Sequence, residues 1–328
     1  EGLPIVGQEN VAIKVRDNND NELKMTLYVN SITPLIEDTR KSIVQLSLAS
    51  KEFLMNEKVR INTRLNGKVS DHVKKILEDL GTEKETDIEE TQHEQNCIGN
   101  NKKPFYLINW LSRGAVPKTG SSGDTAGYFF WETVKGFHFK SIDSLMDTDA
   151  NPPKKKYLYN EFPDGDGGNI PPPYDDKALE YSVNNVVNIQ KKLQMGAYST
   201  RTIMFDPYNC KYEVAYPNAG NTIGAPKTSK GNEDKLNMAG KDGLPVLNKE
   251  FNRTEFGKEF SRTTYCVLDN GSLPSGSGEG EGQEQIEKSK MENYKPGVVL
   301  NQGIQRMNQI FAMETTITIP GDFSLHAG

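Results

Sequence analysis

The sequence predicts an α+β fold rich in β-structure, and three observations carry that prediction. Apolar residues alternate with polar ones through Val11 to Val15, and again at Leu23, Met25, Leu27 and Val29, the period of a strand with one buried face. The aromatic run Gly127-Tyr-Phe-Phe-Trp-Glu-Thr-Val-Lys-Gly136-Phe-His-Phe-Lys-Ser141 reads as a tight hairpin. Between these, residues 70–80 and the stretch opening at Pro104 space their apolar residues as helices do.

Taken in order, the first two strands meet at Asp17-Asn18-Asn19-Asp20-Asn21, a strong turn signal. Ile43, Val44, Leu46 and Leu48 form a further apolar run, and a strand is read at 58–65, closed by the turn Asn66-Gly67. A helix follows with Ser70 as N-cap, Asp71 at the positive end of the dipole and Gly81 as its stop. Val73, Ile76, Leu77 and Leu80 share its apolar face. The acidic stretch 83–94 reads as solvated loop or strand.

Pro104 suits the first position of a second helix, whose stripe is Phe105, Ile108 and Leu111, with Trp110 beside it and Arg113-Gly114 at its end. After the aromatic hairpin, Ile142, Leu145 and Met146 continue into a short helical or irregular segment. Residues 150–175 read as loop, 174–195 as a helix, and 202–206 and 211–215 as strands. The tracts 217–248 and 270–290 hold little to bury and are expected to be flexible, or ordered only by a partner. A late helix over 297–313 precedes a strand at 315–319, a type II turn at Pro320-Gly321 and a returning strand from 323.

The length, 328 residues, suits two domains at about 150 residues each. Mean hydropathy is −0.66, yet 9% of residues are aromatic, which points to a core carrying long polar excursions. A net charge of −6 excludes the basic footprint of a dedicated nucleic-acid binder, though not a duct through which DNA slides. No apolar run reaches the ~18 residues a membrane helix needs, and no secretory signal is read. Cys97, Cys210 and Cys266 lie far apart, form no zinc spacing with the four histidines, and read as unpaired thiols of a reducing cytosol. The opening at Glu1, without methionine, reads as a fragment of a longer protein.

The sequence presents no motif that commits it to a particular chemistry. There is no HExxH, P-loop or GxGxxG pattern, and the serines near 120–123 and 275–278 follow no apolar strand. Asp164 and Asp166 in Pro163-Asp-Gly-Asp-Gly-Gly168 are weak candidates for calcium, but Asp175 stands where an EF-hand has glutamate, so a plain turn is preferred. Glu132 and His138 could suggest an acid/base pair, although a cross-strand polar contact is the commoner outcome. Trp110, Trp131 and Tyr128 could suggest a sugar platform, but the spacing around Trp110 favours core. No enzyme, catalytic residue, cofactor or resident metal is expected.

Several stretches together resemble a known family. Residues 70–80, Pro104-Phe-Tyr-Leu-Ile-Asn-Trp-Leu-Ser-Arg-Gly-Ala115, the hairpin with Ile142-Asp-Ser-Leu145, Gly196-Ala-Tyr198 and Thr316-Ile-Thr-Ile-Pro-Gly-Asp-Phe-Ser-Leu-His-Ala-Gly328 are similar, in that order, to the baseplate hub of contractile-tailed, myovirus-type phages. The last stretch also resembles the N-terminal part of type VI secretion VgrG spike proteins. The resemblance implies two tail-tube-like β-barrel domains with inserted mixed α/β domains. Residues 1–68 would be the later part of the first barrel, 69–126 an inserted domain, and 127–150 the start of the second barrel. Residues 151–296 would be a further insertion, and 297–328 the helix and closing strands.

The function it implies is structural: a homotrimer adapting the sixfold tail tube to the threefold central spike, touching baseplate wedge proteins and lining the DNA channel. The chain would reside in the virion, after assembly in the host cytoplasm, and serve genome ejection without membrane insertion. The alternative is a tail-associated cell-surface protein that binds glycan or degrades cell wall.

Overall fold

A computed structural model describes residues 5–17, 20–37, 42–118, 126–146, 155–159, 176–184, 188–197, 200–206, 210–215, 260–267, 296–310 and 314–328. The chain folds as mixed α+β structure rich in strand. Strands β1 (Asn10–Arg16) and β2 (Glu22–Glu37) pair antiparallel with Ile13 opposite Met25. Their turn is held by the Asp17 carboxylate, which accepts from the Asn21 backbone N–H at 2.7 Å and from its side-chain amide at 2.8 Å. Strand β3 (Ser42–Ala49) adds on the far side of β2 with Val29 opposite Leu48. The register of β2 slips between Pro34 and Ile36, and an irregularity is where a strand tolerates a proline that has no N–H to give.

Helix α1 (Lys51–Lys58) follows, where no helix was expected. Ser50 caps it by accepting from the Phe53 N–H at 3.2 Å. The strand expected at 58–65 shrinks to β4 (Arg64–Leu65) and a bridge at Ile61. Helix α2 (Val69–Leu80) begins one residue before Ser70, so Ser70 does not cap it; the Ser70 N–H instead donates to Thr91 Oγ1 at 3.1 Å. Gly81 stops it with φ of 76°, a left-handed conformation that glycine adopts without steric cost. Strands β5 (Glu85–Ile88) and β6 (Cys97–Ile98) come next, and β6 pairs with β4.

Helix α3 (Pro104–Ser112) starts at its proline as expected, and buries Leu107, Ile108 and Leu111. The aromatic hairpin is β7 (Tyr128–Glu132) and β8 (Gly136–Ser141), with β5 parallel to β8 on the other side. That close pairing needs a glycine: a Cβ on Gly136 would lie 2.1 Å from the Glu85 carbonyl oxygen. Helix α4 (Ile142–Met146) closes this part. One core joins α2, α3, β7 and β8, with Val73, Ile76, Leu77, Ile108, Leu111, Phe137 and Phe139 among its members. The sheet of β5, β8 and β7 and this core draw on residues from both sides of 126 and 127.

In place of the helix expected over 174–195, the described residues form a strand and a shorter helix. Strand β9 (Glu180–Asn184) is followed by α5 (Ile189–Met195), which Asn188 caps by accepting from the Lys191 N–H at 2.9 Å. Val183 favours a strand, and β9 has a partner waiting in β13. Strand β10 (Thr200–Asp206) lies between β11 (Lys211–Ala215), antiparallel, and β12 (Arg262–Val267), parallel. Helix α6 (Pro296–Ile310) packs on β10, and β13 (Glu314–Thr318) pairs with β9. No returning strand forms over 323–327, and Gly321 lacks the positive φ of a type II turn. Among the described residues the strands make five small sheets, and none closes into a barrel.

Candidate functional site

Glu132, His138, Tyr128 and Trp131 all lie on the aromatic hairpin, and its two faces separate them. Glu132 lies opposite Phe137, and His138 lies opposite Trp131. Neighbouring positions on a strand point to opposite faces, so Glu132 and His138 cannot work as an acid/base pair. On the core side, the Lys84 ammonium bridges Glu132 and Glu52, while Ser50 donates to Glu132 at 2.9 Å. That carboxylate cluster ties α1 to the hairpin. Hydrogen bonds from Lys84 and Thr82 hold the Glu52 carboxyl below its ordinary pKa, against a desolvation that acts the other way and is the largest single influence.

On the outer face, the Trp131 indole stacks on His138 with centroids 5.1 Å apart and donates to the Ala327 carbonyl at 3.1 Å. His138 Nε2 is 2.9 Å from Thr133 Oγ1, and Nδ1 is 3.4 Å from Asp87. This chain of hydroxyl, imidazole and carboxylate has the order of a hydrolytic triad. Asp87, however, makes its closer contact with Lys140 at 2.8 Å, and Thr133 sits in the hairpin turn, where its hydroxyl also approaches the Gly136 carbonyl. It is a polar ladder across a sheet. The sugar platform is not assembled either: Tyr128 is fully buried against Phe139, and Trp131 is on the opposite face of the same strand.

A second group of residues escaped sequence reasoning. Helix α6 buries Asn301, Gln302, Gln305 and Arg306. The Arg306 guanidinium, with a side chain 1% exposed, pairs with Asp143, 4% exposed, and also donates to the Ala126 carbonyl at 2.9 Å. Burial lowers the pKa of Arg306, opposed by the adjacent Asp143 charge. Gln302 accepts from the Ala126 N–H at 2.9 Å, and Asn301 Oδ1 accepts from Thr200 at 2.8 Å and Thr202 at 2.5 Å. The helix therefore joins α4 to the β10 sheet through polar contacts. The available signal was the pair of i, i+4 repeats Asn301/Gln305 and Gln302/Arg306, which apolar spacing conceals.

The third feature is the β1–β2–β3 meander. Among its described side chains only Val29 is buried, while Val15, Leu35, Ile36, Ile43 and Val44 are exposed. Strands β1 and β3 are its edges, and neither pairs outward among the described residues. Glu22 fixes the β1–β2 end by binding Lys24 at 2.7 Å, Arg16 at 2.6 Å and Lys14 at 2.9 Å, which lowers its carboxyl pKa to about 2. Unpaired edges and exposed apolar side chains on one sheet are what strand addition or face-to-face packing by another chain uses.

Asp164 and Asp166 lie outside the described residues. Among the described residues no group of three or more His, Cys, Asp or Glu could hold a metal ion, and no helix is long and apolar enough to cross a membrane. Cys97, Cys210 and Cys266 form no disulfide. No family model matches the chain, and no curated protein matches it.

Proposed function

We propose that this chain is a structural subunit of a contractile phage tail, a baseplate hub that closes as a homotrimer between tail tube and central spike. The observation that carries the reading is the open meander. Three long strands with exposed Leu35, Ile36, Ile43 and Val44, and with outer edges unpaired among the described residues, are poorly suited to a monomer. A ring of copies buries such faces and satisfies such edges by symmetry. Tail-tube-like barrels would then be completed between subunits. The order of resembling stretches supplies the identity of the ring, and the net charge of −6 suits a channel that lets DNA pass.

Light scattering after size exclusion tests the reading, on the protein alone and with its candidate spike. The expected mass is about 110 kDa for this segment, three copies of 36.6 kDa. A strict monomer in both samples would overturn the adaptor role and favour the glycan-binding reading.

A further inference from the structure

The layer between α6 and the β10 sheet contains two polar groups that the protein leaves unanswered. Thr200 and Thr202 point from β10 toward α6, where both hydroxyls donate to Asn301 Oδ1. That engagement fixes the Asn301 amide with its oxygen on the sheet. Its Nδ2 is buried, in a residue 0% exposed, and has no hydrogen-bond partner among the described residues. Thr264 on β12 is the register partner of Thr202. Paired residues of neighbouring strands project from the same face, about 5 Å apart. The Thr264 hydroxyl is buried there too, and it also lacks a partner. A buried donor on α6 and a buried hydroxyl on the sheet face that α6 packs against thus lack partners among the described residues.

We infer that this layer binds one internal water, which accepts from Asn301 Nδ2 and bonds to Thr264 Oγ1. A buried polar group without a partner bears its full desolvation cost, and an ordered water is the usual remedy where two or more such groups converge. Water suits the pair because it both accepts and donates. A monovalent cation does not, since the amide presents N–H hydrogens to the site. The seat of α6 on β10 is therefore a hydrated joint.

A crystal structure of the full chain that resolves ordered solvent, paired with thermal melts of Thr264→Val, tests this. The expected density is one peak within hydrogen-bond distance of both Asn301 Nδ2 and Thr264 Oγ1. Valine matches threonine in shape and suits a strand, so Thr264→Val isolates the hydroxyl; Tm should fall by about 2–4 °C as the water loses a partner. An empty layer in the wild-type density would overturn the inference, whether or not the variant folds. So would a variant melting at or above wild type, the behaviour of a hydroxyl with nothing to lose. An anomalous peak at the site in crystals grown with rubidium would assign a cation and overturn it as well.

Discussion

Two regions of this chain begin from the same pattern and end differently. The β7–β8 hairpin and the β1–β2–β3 meander are both antiparallel strands with alternating apolar residues. The hairpin turns Tyr128, Phe137 and Phe139 onto α2 and α3 and loses them from water entirely. Among the described residues no helix covers the outer part of the meander, and its Leu35 and Ile36 remain 59% and 50% exposed. Alternation specifies a face to be buried. It does not say whether the cover comes from the same chain. We read the hairpin as a core that one copy completes, and the meander as half of a core that neighbours complete.

The largest expected effect lies in the closed region. Phe139→Ala removes a ring stacked 4.6 Å from Tyr128 and should destabilise the chain by about 3–5 kcal/mol in denaturant melts. A loss below about 1 kcal/mol would mean that this core is not the one holding the fold. Asp143→Ala should cost about as much, because it strands the buried Arg306 charge, and a double replacement by Asp143→Leu and Arg306→Met should recover most of that loss. The same melts check it. If the double variant is as unstable as the single, the ion pair is not what the site requires.

In the open region the balance should invert. Ile36→Asp and Ile43→Asp, register partners on one face, should each leave the melting of the isolated chain within about 0.5 kcal/mol of wild type, since both side chains are exposed, while reducing the assembled mass to that of one copy. Assembly that survives both substitutions would remove this face from the interface.

The smallest effect concerns Glu22. Its pKa, lowered to about 2 by Lys24, Arg16 and Lys14, makes the hairpin end favourable when the carboxylate is charged. The contribution is fully present above the ordinary carboxylate value of about 4.3 and is lost as pH falls through about 2. An NMR titration should show the Glu22 carboxyl still ionised at about pH 3; a midpoint near the ordinary value would show that the three cations do not hold it.

What the sequence made legible was local. Helices α2 and α3 and the hairpin were readable because Gly81, Pro104 and the aromatic alternation act within a few residues. Helix α1 was missed although Ser50 caps it, since Lys51–Lys58 has no apolar stripe to announce it. Strand β9 is not legible as strand in its own residues because its fate depends on β13, more than a hundred residues later. The buried side of α6 was illegible for the same reason: Asn301, Gln302 and Arg306 are acceptable inside only because Thr200, Thr202, Ala126 and Asp143 arrive from elsewhere.

The central claim is that other copies complete the meander, and amide hydrogen exchange reads it at the edges themselves. The full chain would be labelled at concentrations below and above the appearance of the threefold mass. The account predicts that outward-facing amides of Asn10–Arg16 and Ser42–Ala49 exchange rapidly in the single copy and become protected in the assembly, while Tyr128–Ser141 is protected in both. Equal, rapid exchange of those edges in the assembled species would contradict it.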